Sequence, residues 1–199
     1  MRLQITRGKL SGFTLIELLV VIALVAIVLV IAVPSFGNLI INQRMKSLNA
    51  QLVTDLQFAR AEAAARNKAV FFSLGQSYGV MTCYVIYVPD TTDTLCSCTS
   101  STCPGVTKLK SVEIPFNSKV MYQVPDELDE SGIFAFDSVS GGLVYGTSDF
   151  VDASPTTHRL DTVVLGDVAG RNLRTTISPA GRPTVCSFGS KRISGFTQC

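Results

Sequence analysis

From Phe13 to Val33 the chain offers 21 residues of almost pure hydrocarbon, with one carboxylate, Glu17, set among them. A charged acid deep in a bilayer costs about 2.5–3.5 kcal/mol even on lenient insertion scales, so a glutamate in such a run calls for a partner. Gly12 and Phe13 form a junction just ahead of it, and residues 1–12 carry Arg2, Arg7 and Lys9 but no acid. Other reactive groups are few. Six cysteines, Cys83, Cys96, Cys98, Cys103, Cys186 and Cys199, all follow the apolar run. Residues 168–199 hold five bases, Arg171, Arg174, Arg182, Lys191 and Arg192, and no acidic side chain, whereas residues 126–167 hold nine acids against Arg159. Ser77 sits in Gly-Gln-Ser-Tyr-Gly, a G-x-S-x-G match, and His158 is the single histidine.

About 20 apolar residues cross a hydrocarbon core of about 30 Å. The basic flank precedes the run, so the positive-inside bias places residues 1–12 in the cytoplasm and the rest outside. An even number of cysteines on the outer side reads as disulfides in an oxidising compartment. Cys186 and Cys199 bracket a terminal segment and are expected to close it. Cys83 then pairs with one of Cys96, Cys98 or Cys103, leaving the other two together. A metal site in the Cys-Ser-Cys-Thr-Ser-Ser-Thr-Cys stretch is the rival, but no histidine lies near it in sequence. An ordinary signal peptide cut near Val33-Pro34-Ser35 is a second rival to the membrane reading. Its apolar part is too long for the usual h-region of about 7–15 residues.

The elements that must carry these residues follow from periodicity. Met45, Leu48, Leu52, Leu56, Ala59 and Ala63 repeat at helical spacing. Arg44, Lys46, Asp55, Arg60, Glu62 and Arg66 are assigned to the opposite face. One helix is expected over residues 13–68, membrane-spanning to 33 and amphipathic over 34–68, about 80 Å long and bent at Pro34. From Ala69 short β-rich pieces separated by turns take over, which predicts antiparallel sheets in a head of residues 69–199. Residues 89–105 form a long polar loop pinned by cysteines. Ser178–Gly181 makes a turn between the last two strands. The G-x-S-x-G match lies between two strand-like segments, not on a strand–turn–helix, so it reads as a hairpin turn. His158 is placed in a surface loop. Hydrolase chemistry is not expected, and neither is a metal, a cofactor or a small-molecule substrate.

The stretch Gly-Phe-Thr-Leu-Ile-Glu-Leu (12–18) and the helix after it resemble the N-terminal signal of type IV prepilins and type II secretion pseudopilins. Residues 52–70 and 171–186 resemble the GspH/FimT family of minor pilins and pseudopilins. The resemblance implies an α+β pilin-like fold, a long N-terminal helix packed on an antiparallel sheet head. It implies a leader of residues 1–12, cut after Gly12 by prepilin peptidase, and methylation of the new Phe13 amine. Glu17 would pair with the Phe13 amine of a neighbouring subunit; a glutamate snorkelling to water is the plainer alternative. The implied place is the inner membrane with a periplasmic head, before assembly with major pilin and other minor pilins or pseudopilins. In FimT-like competence pilins a Gly-Arg-x-Arg motif is linked to DNA binding. Gly181-Arg182-Pro183-Thr184 stands at that place without the second arginine. Arg171, Arg174, Lys191 and Arg192 would supply further phosphate contacts; the alternative is that these bases meet the acidic 126–167 segment. The function expected is assembly of a pilus or pseudopilus, with DNA uptake as the rival.

Overall fold

The computed structural model describes residues 12–77, 80–91, 94–100, 102–123, 133–144, 158–166 and 170–199, without the side chains of residues 31–35 and 158. Helix α1 (Leu15–Arg66) is continuous through Pro34 and Gly37 and ends two residues inside the expected limits. Its start is capped by Thr14, whose Oγ1 accepts the Glu17 N–H at 3.3 Å. Its end turns on Asn67, at φ 52°, and the Lys68 N–H reaches back to the Ala63 carbonyl at 3.3 Å. Asparagine tolerates this left-handed position and satisfies an otherwise orphaned carbonyl.

The chain divides into two compact units, residues 1–40 and 41–199. In the first, the large apolar side chains described between Phe13 and Val30 are 48–80% exposed. Among the described residues no helix is long and apolar enough to cross a membrane; side chains in the apolar helical run are described from Leu15 only to Val30.

The second unit carries the head. A five-stranded antiparallel sheet has the order β3-β2-β1-β5-β6, from β1 (Val70–Ser77), β2 (Met81–Pro89), β3 (Val106–Pro115), β5 (Ile133–Phe136) and β6 (Leu143–Val144). A four-stranded sheet has the order β4-β7-β8-β9, from β4 (Val120–Gln123), β7 (His158–Val164), β8 (Asn172–Ile177) and β9 (Pro183–Phe188). Each β-rich piece of the sequence becomes one of these strands.

Helical spacing decides what α1 buries. Leu52, Leu56, Ala59 and Ala63 are fully buried against Phe72, Tyr84, Phe134 and Phe136 of the first sheet and against Leu160 and Ile177 of the second. The rings of Phe72 and Tyr84 stack at 4.9 Å, and those of Phe72 and Phe134 at 5.0 Å. Strand alternation sends Phe71, Cys83, Val85 and Tyr87 to the other face of the first sheet, where Cys96 and Cys98 cover them. Both faces of β2 are therefore buried, which explains why its sequence is almost continuously apolar.

Asp55 departs from expectation. It is 2% exposed, not on the polar face. It follows Leu52 by three residues and precedes Ala59 by four, which puts it on the buried stripe itself. Its Oδ2 accepts the Tyr84 hydroxyl at 2.6 Å and its Oδ1 accepts Lys110 Nζ at 2.6 Å, joining the helix to β2 and β3. Asn49 does the same toward the second sheet, donating Nδ2–H to Thr162 Oγ1 at 3.2 Å and Thr175 Oγ1 at 2.8 Å. A buried polar group without such partners would cost stability, so the two residues set the rotation of the helix over the sheets. Tyr122 also faces this layer, its hydroxyl donating to the Leu48 carbonyl at 2.9 Å.

Candidate functional site

Gly12 and Phe13 are exposed, non-helical backbone directly before α1. Among the described residues nothing lies within 4 Å of the place a Gly12 Cβ would occupy. Glu17 is exposed in the first helical turn. Its carboxylate is favourably placed toward the positive end of the helix dipole. Around it Leu15, Ile16, Leu18 and Leu19 are all more than half exposed, so the acid stands in an exposed apolar collar. The basic leader, residues 1–11, lies outside the described residues.

The cysteines form three bonds. Cys83 joins Cys98 and Cys96 joins Cys103, with Cα separations of 5.8 and 5.4 Å, and Cys186 joins Cys199 at 5.0 Å. The first fastens the long polar loop onto the outer face of the first sheet, and the second closes that loop on itself. The Asp90 N–H closes the base of that loop on the Gly105 carbonyl at 2.9 Å. The third ties the terminal segment to β9, where the Ser187 N–H donates to the Thr197 carbonyl at 2.7 Å.

The five tail bases do not form one surface. Arg171 is buried and donates Nη1–H to Asn42 Oδ1 on α1 at 3.0 Å. Arg174 makes a two-pronged pair with Asp161, each N–O distance 2.8 Å, and lies over the Phe188 ring at 4.1 Å. That pair realises within the head the meeting of basic tail and acidic segment. Arg182, Lys191 and Arg192 are exposed. Arg192 donates Nε–H to the Phe196 carbonyl at 3.0 Å inside the Cys186–Cys199 loop. Arg182 stands elsewhere, beside the turn between β8 and β9. The acids at 126, 127, 129, 130, 149, 152 and 167 lie outside the described residues.

Arg182 lines a cleft of about 670 Å³ between α1 and two turns. The first turn is Asp137–Gly142. The Asp137 carboxylate accepts the backbone N–H of Ser140 at 2.7 Å, its hydroxyl at 2.8 Å and the Val139 N–H at 3.1 Å. These bonds to Ser140, aided by those to Val139 and Ser138, hold its carboxyl below the usual carboxylate range. The second is Ser178–Gly181, closed by Gly181 N–H to the Ser178 carbonyl at 2.8 Å. Gly181 has φ +71°, and a Cβ there would come within 2.2 Å of the Gly141 carbonyl oxygen, so only glycine permits this approach. The Leu143 N–H donates to Pro179 O at 2.9 Å, and Arg60 Nε–H donates to Gly141 O at 2.9 Å. Arg60 reaches this site from α1 across a gap in sequence that no local pattern reveals; by sequence it is only a polar-face residue.

The remaining candidates resolve structurally. β1 runs through Ser77, which pairs with Met81 across a hairpin, and the Val80 N–H donates to the Ser77 carbonyl at 3.1 Å. This is a hairpin turn, not a nucleophile elbow; Tyr78 and Gly79 lie outside the described residues. His158 is the first residue of β7, paired with Ile177, and not a loop residue as the sequence suggested. The ladder with β8 begins at His158, three residues before Asp161, where the β-rich stretch starts in the sequence. Among the described residues no cluster of histidine, cysteine or acidic side chains could hold a metal.

Comparisons with known proteins bear on both ends of this arrangement. Residues 8–33 match the prokaryotic N-terminal methylation motif. Residues 49–184 match the type II transport protein GspH family. No curated protein matches the chain. Two crystal forms of the Pseudomonas aeruginosa type IV minor pilin FimU are similar in structure. One, in space group P21, is 17% identical, covers 77% of this chain and 95% of its own, and has a TM-score of 0.47. The other, in space group P65, is 17% identical, covers 73% and 99%, and has a TM-score of 0.46. Because the family match spans more than half of the chain, and the motif ahead of it contains Gly12, Phe13 and Glu17, the chain belongs to the type II transport protein GspH family and carries a prokaryotic N-terminal methylation motif.

Proposed function

We propose that this chain is a minor pilin or pseudopilin, a structural subunit that helps initiate or assemble a type IV pilus or a type II secretion pseudopilus. Prepilin peptidase removes residues 1–12, and the Phe13 amine is methylated. The apolar run of residues 13–33 holds the subunit in the inner membrane with its head in the periplasm, where oxidising conditions keep the three disulfides. The observation that carries this reading is the exposed apolar helix with one acid in its first turn, directly after Gly12-Phe13. Lipid covers such a helix before assembly and neighbouring helices cover it afterwards. Glu17 then answers the Phe13 ammonium of a neighbour. In a low dielectric a charge left without its partner is strongly unfavourable, so the pair fixes register more than it adds stability.

The test is Glu17→Ala. Membrane insertion should be retained, because the substitution removes a polar group from the span, while the amount of subunit recovered in sheared filaments should fall to background. Filament incorporation at the wild-type level would remove Glu17 from the assembly mechanism.

The rival role, contact with DNA during uptake, is carried by the exposed Arg182, Lys191 and Arg192. Arg171 and Arg174 are engaged within the head, so this reading has fewer phosphate contacts than the sequence suggested and predicts a shallower salt dependence.

A further inference from the structure

The cleft beside Arg182 holds two guanidinium groups and, among the described residues, no answering acid. Arg60 spends its Nε–H on Gly141 O, and its terminal nitrogens have no partner among the described residues. The Arg182 side chain likewise has none; its backbone N–H donates to Ser178 Oγ and its carbonyl accepts the Ser178 N–H. Of the described carboxylates, Glu62 is committed to Arg66 and Asp137 to its own turn. Ala61, Ala64 and Pro183 give the same cleft apolar surface, and Val139, 88% exposed, stands at its rim. The site is also stiff. Arg60 is on a long helix, and the two turns are locked together through Gly141, Gly181 and the bond from Leu143 to Pro179.

We propose that this cleft is a docking site for an acidic segment of a neighbouring protein subunit, carboxylates on either side of an apolar side chain. Planar guanidinium groups match carboxylates two hydrogen bonds at a time. The apolar residue between the acids covers Ala61, Ala64 and Pro183. Prior fixation of Arg60 by Gly141 O reduces the ordering cost of binding. Duplex DNA fits less well. It presents a wide row of phosphates and no apolar side chain, while Lys191 and Arg192 belong to the separate Cys186–Cys199 loop. That the occupant belongs to a neighbouring subunit rests on the filament reading above; the cleft's charge and shape do not.

The experiment uses the full chain in neutral detergent and a labelled, end-blocked peptide, Asp-Glu-Leu-Asp-Glu, the sequence of residues 126–130. Fluorescence anisotropy should show saturable binding. Arg182→Glu should weaken it about tenfold or more, since it replaces attraction by repulsion at one prong of the site. Arg60→Lys should weaken it less, keeping charge but losing the fork. A peptide with Asn and Gln in place of the acids should not bind, and Lys191→Ala with Arg192→Ala should bind as wild type does. Arg182 has no side-chain partner among the described residues, so its replacement leaves the head folded, which circular dichroism verifies. Absence of peptide binding to the wild-type chain overturns the proposal, as does undiminished binding by Arg182→Glu. Binding of random duplex but not of peptide, lost in Arg182→Glu, would assign the cleft to nucleic acid instead. None of these failures touches the processing of the N-terminus, which is measured separately.

Discussion

Asp55→Ala should lower the stability of the head by about 2–4 kcal/mol. Breaking a buried pair by removing one partner costs about 3–5 kcal/mol, because the other is left without an answer. Here the two partners fare differently. Lys110 has 40% of its side chain exposed and turns to water, which discounts its share. Tyr84 is fully buried and cannot turn away, so its hydroxyl loses the acceptor it has at 2.6 Å and pays the full desolvation penalty, about 1–3 kcal/mol. Asp55→Asn keeps an acceptor for Tyr84 and should lose less. Urea midpoints of the wild-type and variant chains in the same detergent, followed by tyrosine fluorescence, give the difference. A change of less than about 0.5 kcal/mol, the range of ordinary surface substitutions, would mean that the pair does not fasten the helix.

Above pH 10 the head should lose stability steeply, for a related reason. Burial, reinforced by the hydrogen bond to Asp55, raises the Tyr84 pKa far above its ordinary value. Burial and the Asp55 charge raise that of Tyr122. In the unfolded chain both phenols ionise near pH 10. The folded chain keeps their protons, so the unfolded state binds fewer protons and stability falls as pH rises. The contribution is complete below about pH 10 and is lost progressively above it, by about 1.4 kcal/mol per pH unit for each tyrosine. Tyr84→Phe should remove one tyrosine's share from that slope. Midpoints measured between pH 9 and 11 for both proteins test this, and equal slopes in the two would contradict it.

Much of this molecule can be read along the chain because its strongest signals are local. Gly12, Phe13 and Glu17 are adjacent in sequence and stay adjacent in structure. The stripe from Met45 to Ala63 obeys helical spacing, and the head's strands are separated by recognisable turns. The misreadings arise where tertiary contact overrides local pattern. Residue type points Asp55 to the polar face, yet its spacing from Leu52 and Ala59 puts it in the buried stripe, where Tyr84 and Lys110 arrive from two different strands to satisfy it. Of the tail bases, Arg174 meets the acidic segment as one of the two readings had it, because pairing of β8 with β7 brings it opposite Asp161, whereas the contact of Arg171 with Asn42 on the helix has no local signal. The cleft was invisible for the same reason. Arg60 and Arg182 approach one another only because a glycine at 181 lets two turns touch.

The account stands or falls on its N-terminus, and the most direct measurement is the intact mass of the protein extracted from membranes of cells that contain prepilin peptidase. A single species beginning at Phe13, heavier than the bare polypeptide by the CH2 that one N-methylation adds and lighter by the six hydrogen atoms that three disulfides remove, is the predicted result. A mature chain beginning near Ser35 would contradict it, since ordinary signal cleavage would discard Glu17 together with the apolar helix on which assembly depends.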